Sequence, residues 1–364
     1  MQTKLKEIAS KFEVEGVVVS VDQLGEGFIN DTFTITTEGD SPNYILQRKN
    51  KQIFTDVPSM MDNIKRVTDH LKAKVVASGG DPMREVLTVT PTKDGLLYFL
   101  DSDDEYWAAC VFINDTVTYS SAATPELAYQ GGKGIGMFQS QMSDFEGTLA
   151  DILPGFHNMR FRFEQWDEAI KADKAGRVAS LTEEIGWVES RREQMMSLWA
   201  KVEGGEIPQR VTHNDTKINN ILFDNNGDVL CVIDLDTVLS ATCLHDYGDA
   251  LRSYTNTGEE DDKDLSKVES SLEIFEGYTK GYLSEAGVFL NAAERENLAS
   301  WGMFITFEQV LRFLMDYVNG DTYYKTKYDN HNLVRTRAQY KLLQSMEAQY
   351  PQMKEIVAKC LENL

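Results

Sequence analysis

Between Val211 and Thr237 the chain sets out, in a fixed order, five groups suited to one kind of chemistry. They are Asp215, Lys217, Asn220, Asp234 and Asp236, with His213 just ahead of them. Moving a phosphoryl group takes a carboxylate to orient the attacking hydroxyl, oxygen ligands for magnesium, and a cation to spread charge on the transferring phosphate. Asp215 has the type for the first task and Lys217 for the third. Asn220 and Asp234 suit the second, with Asp236 as a further oxygen donor. The run Asn225-Asn226-Gly227 between apolar stretches predicts a hairpin. Such a hairpin brings the loop His213–Asn220 near the acidic end of the strand Val229–Ile233. A polar tip whose Asp and Asn residues only make turns does not need these five groups in this order. Nor does it need an apolar strand that ends in two carboxylates.

The elements ahead of this stretch read as a small sheet with helices. Residues 1–13 form an amphipathic helix with Leu5, Ile8, Ala9 and Phe12 on one face. Strands follow at Val17–Leu24 and Phe33–Thr37, joined by the glycine-containing run Gly25-Glu26-Gly27-Phe28-Ile29-Asn30-Asp31. Glycine permits close approach, so such a loop can lay backbone amides over phosphates; an ordinary hairpin reads the same way. A third strand carries Gln47-Arg48-Lys49. Asp56–Lys74 has a helical apolar stripe from Val57 to Leu71, with Asp56 as cap and Pro58 in the first turn. Three more strands, Val86–Thr90, Leu96–Asp101 and Tyr106–Ile113, complete a lobe of about five strands and one helix.

Beyond Ile113 the chain is mostly helical. Pro125–Met142 contains Gly131-Gly132-Lys133-Gly134, but Leu127 and Gly134 stand where a phosphate loop requires Gly and Ser or Thr. Close helix packing is the better reading. Helices are expected at Phe163–Ala172, Ser180–Val202, 267–285, 292–319 and Tyr340–Leu361. Arg312 and Asp316, in the most apolar of these, need partners: either each other or a polar ligand. Gly320–Gln339 is dense in Tyr, Asn, His and Arg, the planar hydrogen-bonding side chains that sugar sites use.

The 364 residues carry a net charge of −22. That balance argues against nucleic acid or an anionic membrane as a main partner. The four cysteines show no metal spacing and read as reduced core thiols. With no signal-like apolar core near the start and no run of membrane-spanning length, cytoplasmic residence is expected.

His213-Asn214-Asp215 with Asn220, followed by Ile233-Asp234, resembles the catalytic segment of the aminoglycoside phosphotransferase and choline kinase superfamily. The wording His-Asn-Asp-Thr-Lys-Ile-Asn-Asn with Ile-Asp-Leu-Asp-Thr is most similar to the N-acetylhexosamine 1-kinases. The resemblance implies an α+β, bilobal, protein-kinase-like fold. Its N-terminal antiparallel-sheet lobe would span residues 1–113, and a larger helical lobe 114–364. It implies ATP and Mg2+ as cofactors, and a sugar phosphorylated at its anomeric hydroxyl. Asp215 and Lys217 would be catalytic, and Asn220, Asp234 and Asp236 would hold metal. Gly25, Gly27 and Asn30 in the covering loop, Arg48 on the third strand and Ile113 at the hinge would meet the nucleotide. Asp31, Arg312 and Tyr323 would touch the sugar, while His157 is either a substrate contact or structural.

The chain departs from the superfamily at one point: strand alternation puts Gln47 where a phosphate-gripping cation is expected. Either a bulge turns Arg48 inward or another cation serves. Asp62 on the Asp56–Lys74 helix is either its partner acid, where the kinase pattern has Glu, or a surface carboxylate. Asp246 would lock the catalytic loop, and Asp249 would cap or position the next helix. The alternatives are the same fold acting on choline, ethanolamine, homoserine or an aminoglycoside, and a catalytically silent nucleotide-binding protein.

Overall fold

The computed structural model describes residues 2–25 and 29–364. The chain divides into two compact units. The first is discontinuous: it gathers residues 1–117 with 144–153 and 222–239, whereas the sequence reading cut the chain once, after Ile113.

In the first unit, helix α1 (Gln2–Ala9) lays Leu5, Ile8 and Ala9 on an antiparallel sheet. Strands β1 (Val18–Gln23), β2 (Asp31–Thr37) and β3 (Tyr44–Lys49) are consecutive neighbours. On the α1 side Phe33, Ile35, Tyr44 and Leu46 alternate inward with Trp107 and Ala109, the period of two that a half-buried sheet requires. The opposite side of β3 carries Gln47 and Lys49. Helix α2 (Val57–Ser78) begins where Asp56 accepts the Ser59 N–H and ends at Gly79, left-handed with φ +80. Its buried stripe holds Met60, Met61, Ile64, Val67, Leu71 and Val75, as expected. Asp62 faces solvent.

A short helix α3 (Pro82–Glu85) precedes β4 (Val89–Thr90), β5 (Phe99–Leu100) and β6 (Tyr106–Val111), giving six strands, one for each strand run named in the sequence. β4 and β5 are shorter than the sequence suggested. The turn after β5 is closed by Asp101, whose carboxylate accepts from the main-chain N–H groups of Asp103 and Glu105 and from Trp107 Nε1. The expected hairpin forms from Ile221–Phe223 and Val229–Val232. Its connection is wider than a two-residue turn because Asp224 accepts the Asn226 and Asp228 amides around Gly227.

The second unit is helical. Helices α4 (Pro125–Gln141) and, later, α9 (Leu272–Ala286) pack closely. Between them lie α5 (Met159–Ala172), α6 (Thr182–Glu189), α7 (Arg192–Glu203) and α8 (Cys243–Tyr254). One helix was expected over Ser180–Val202; the chain breaks at Ser190–Arg191 instead. Helix α10 (Ala292–Val318) starts from a capping box of Asn291 and Glu294 and is buried on nearly every side. Helix α11 (His331–Glu362) begins nine residues before the expected Tyr340. A two-stranded ribbon, Arg210–Thr212 with Leu239–Ala241, leads into the loop of interest. All four cysteines are free thiols, and no described helix is long and apolar enough to cross a membrane.

Candidate active site

In the second unit, the loop after Arg210–Thr212 is held by two carboxylates of α8. Asp246 accepts the main-chain N–H of His213 at 2.9 Å and of Asn214 at 2.7 Å, and the Gln139 amide at 2.7 Å. Asp249 accepts the Thr216 N–H at 3.0 Å, while the Thr216 hydroxyl donates to the Asp246 carbonyl. Asp249 therefore fixes the loop and does not cap a helix; the cap of α8 is Thr242. Asn214 takes a left-handed φ of +65, a conformation Asn tolerates better than most residues. Within this frame Asp215 Oδ1 lies 3.0 Å from Lys217 Nζ. The Asn220 amide donates to Asp215 Oδ2 at 3.1 Å and to its carbonyl at 2.8 Å.

Charge in this loop is balanced locally. Asp215 beside Lys217 raises the lysine's pKa above its usual value, against burial, so it stays a cation. Burial alone would raise the Asp249 pKa, but Arg252, Lys217 and His157 outweigh it and hold the carboxyl below its usual range. At Asp246 burial wins, and its pKa is raised.

In the first unit, Asp234 is exposed and left-handed (φ +60, ψ +58), and it opens the single-turn 3-10 segment Leu235–Thr237. Asp236 is 5% exposed and does not present its carboxylate to solvent. Lys49 Nζ donates to its two oxygens at 2.7 and 2.8 Å, and Asn30 Nδ2 donates to Oδ2 at 2.6 Å. Asn30 also accepts the Asn50 N–H, which ties the end of the glycine-containing loop to the end of β3. Arg48 is not turned inward: it is half-exposed and ion-paired with Asp31, its cross-strand neighbour. These two, expected at nucleotide and sugar, neutralise each other on the surface. The buried cation of the strand is Lys49, which the sequence reading missed. The signal was present, since Lys49 lies two residues from Gln47 and therefore on its face. Gly25 is left-handed, with φ +63; Gly27 lies outside the described residues. Ile113 is buried, and the Phe112 N–H beside it bonds to the Asn43 carbonyl.

A second feature of the helical unit is a pocket of about 260 Å3 lined by Arg162, Gln165, Arg312, Asp316, Tyr323 and Tyr324, among others. Arg312 and Asp316 do not pair. Asp316 accepts the main-chain N–H groups of Thr322, Tyr323 and Tyr324 and the Asn332 amide. The Arg312 guanidinium lies over Phe156, Tyr323 and Tyr324, with centroids 5.2 to 5.9 Å away. Behind it, buried Glu308 accepts from His157 at 2.9 Å and Arg162 at 3.4 Å. Burial works against that charge, but His157 and the two guanidiniums pull its pKa down to about 2. His157 is thus fixed to Glu308.

A sheet-and-helix chain carrying Asp-x-Lys-x-x-Asn on a carboxylate-braced loop is the architecture of a small-molecule phosphotransferase. The model of the phosphotransferase enzyme family matches residues 20–280, and the chain belongs to that family. Solved structures share the fold over nearly their whole length. A microcompartment-associated aminopropanol kinase is 16% identical, with 97% of this chain and 98% of that one covered and a TM-score of 0.63. A spectinomycin phosphotransferase solved with ADP and spectinomycin is 12% identical, with 97% and 99% covered and a TM-score of 0.59. An ethanolamine kinase from Plasmodium vivax is 13% identical, with 92% and 84% covered and a TM-score of 0.55. The expected α+β, kinase-like fold is the fold observed: an N-terminal antiparallel sheet and a larger helical part.

Proposed function

We propose that this phosphotransferase transfers the γ-phosphoryl group of ATP to the anomeric hydroxyl of an N-acetylhexosamine. The chemistry rests on one observation: Asp215 is held by Lys217 and Asn220 in a loop whose amides are bound by Asp246 and Asp249. Asp215 orients the acceptor hydroxyl and takes its proton as the phosphoryl group moves. Lys217, kept protonated by Asp215, faces the charge that develops on the transferring group. With its amide nitrogen engaged by Asp215, Asn220 has a carbonyl oxygen left to offer, the donor type a hard divalent cation takes.

Asp234 is the carboxylate proposed as the other protein ligand. The described residues contain no group of three or more His, Cys, Asp or Glu fit to hold a metal by themselves. That suits magnesium, which is commonly held by one or two carboxylates together with substrate phosphates. Magnesium, when bound, neutralises charge on the phosphate oxygens. Lys49 takes the place proposed for the phosphate-gripping cation of the strand, with Gly25 and Asn30 at the covering loop and Ile113 at the adenine.

The pocket of Arg162, Arg312 and Tyr323 is proposed for the sugar. Both acids nearby are engaged, Glu308 by His157 and Arg162 and Asp316 by four N–H donors. What remains to meet a ligand is therefore mainly hydrogen-bond donors and aromatic faces. That set suits hydroxyl and acetamido oxygens better than an ammonium group, which brings only donors.

The test is ADP release from ATP across N-acetylglucosamine, N-acetylgalactosamine, glucose, choline, ethanolamine and homoserine. A response confined to the N-acetylhexosamines, with product phosphate at the anomeric carbon, is expected. A response confined to an amine would discard the sugar. Asp215→Asn should lower turnover at least ~10²-fold while ADP still binds; near-normal turnover would remove Asp215 from its role.

A further inference from the structure

In protein kinases the strand lysine that grips the phosphates is held by a glutamate on the neighbouring helix, and movement of that helix controls the pair. Here the helix supplies no such acid. Asp62 of α2 faces solvent. Of the helix's buried polar side chains, Thr68 bonds back to the Ile64 carbonyl of its own helix, and Asn63 bonds to the Ala150 N–H and carbonyl and to the Val238 carbonyl. Lys49 takes its carboxylate from elsewhere. Asp236 holds it through both oxygens, and Gln47 Oε1 accepts from it at 2.6 Å. All three ammonium hydrogens thus have acceptors within reach. Lys49 and Asp236 are 3% and 5% exposed, so parting them would leave two uncompensated charges out of water.

We infer that Asp236 is the positioning residue of the nucleotide-gripping Lys49 and not a ligand of the metal. The cation is registered to the turn that begins at Asp234, two residues away, and not to helix α2. Asn30 on the same carboxylate adds the base of the covering loop to that register. Three parts of a nucleotide site are thereby fixed by one buried side chain. The grip is built in with the sheet and is not switched by a helix. The inference rests on the phosphotransferase reading but not on the identity of the acceptor.

The test is calorimetric titration of the full chain with ADP, with and without magnesium. It compares wild type, Lys49→Met, Asp236→Asn, their double variant, Asp234→Asn and Asp62→Ala. Lys49→Met should weaken metal-free ADP binding about tenfold in wild type, the scale of one charge-assisted contact, but less than about threefold once Asp236 is Asn. The half-saturating magnesium concentration should rise at least about tenfold in Asp234→Asn and stay within about threefold in Asp236→Asn. Asp62→Ala should bind ADP as wild type does.

An equal effect of Lys49→Met in both backgrounds would overturn the inference. So would a magnesium requirement raised by Asp236→Asn as much as by Asp234→Asn. If the single variants unfold, Asp236→Glu keeps the charge pair and displaces the ammonium. Loss of ADP affinity at an unchanged melting temperature then supports the positioning role, and unchanged affinity overturns it. A wild-type chain that binds no ADP would instead overturn the phosphotransferase reading beneath the inference.

Discussion

Asp246 and Asp249 stand three residues apart on α8, so both carboxylates point to the same side of the helix. That side receives the loop carrying Asp215. Asp246 takes three N–H donors while fully buried. A buried donor left without its acceptor costs about 1–3 kcal/mol. Asp246→Asn keeps one acceptor oxygen and turns an NH2 toward main-chain N–H groups. It should lower stability by about 2–3 kcal/mol and turnover by at least about tenfold, because the backbone that sets Asp215 loosens. Urea unfolding read alongside ADP release checks this. Unchanged turnover in the folded variant would mean that the loop holds its shape without α8. The grouping of Asp215, Lys217 and Asn220 was legible in the sequence because it depends on short spacings within one loop, whereas the hold of Asp246 on the His213 amide, 33 residues away, was legible only through the resemblance. Lys49 was not, because its role comes from a carboxylate 187 residues away. Alternation sets it on the Gln47 face, apart from the exposed Arg48, but nothing local names the carboxylate it meets.

At the scale of elements, two glycines of α4, Gly132 and Gly136, owe their place to backbone contact. A Cβ at Gly132 would meet the Tyr278 carbonyl oxygen at 2.2 Å, and one at Gly136 the Tyr282 oxygen at 2.5 Å. On the facing helix, a Cβ at Gly281 would lie 1.9 Å from the Tyr129 oxygen. None of these neighbours is the movable end of a side chain, so the helices themselves must part. Gly281→Ala should cost about 3 kcal/mol or more, the upper range for overpacking. If Gly132→Ala is folded, it should bind ADP with unchanged affinity, which a phosphate loop would not allow. Thermal melts and ADP titration read the two effects separately. The close packing was legible because the run lacked what a phosphate loop needs. The break between α6 and α7 was not, since Trp187 to Met195 has no proline or glycine to mark it. The early start of α11 was hidden because four of the five buried positions in His331 to Gln339 are polar types, His331, Asn332, Thr336 and Gln339, with Ala338 the fifth.

For the whole molecule the net charge of −22 sets one term in its response to acid. Protonating carboxylates relieves like-charge repulsion and favours the compact state as pH falls. Buried groups work against this, and their signs can be followed one by one. His245 is fully buried among Trp199, Trp301, Phe304 and His157. Burial first, then His157, pushes its pKa well below 6.5. In the unfolded chain the same imidazole takes up a proton near pH 6.5, so the unfolded state binds more protons and stability falls as pH drops below that value. One proton gives a slope of about 1.4 kcal/mol per pH unit. A second loss sets in lower. The carboxyls of Asp101 and Glu308, held near 2 by their partners against burial, stabilise the fold at pH above the ordinary carboxylate range. That contribution goes as pH falls from about 4.5 toward 2. Between pH 6.5 and 5 His245 therefore lowers stability as pH falls, opposed in sign by Asp246, whose carboxyl pKa is raised by burial. The melting temperature should fall across that interval, and His245→Phe, which keeps an aromatic ring in the cluster and removes the titrating nitrogens, should flatten the fall. A variant whose melting temperature drops as steeply as that of wild type would place the acid sensitivity in another group.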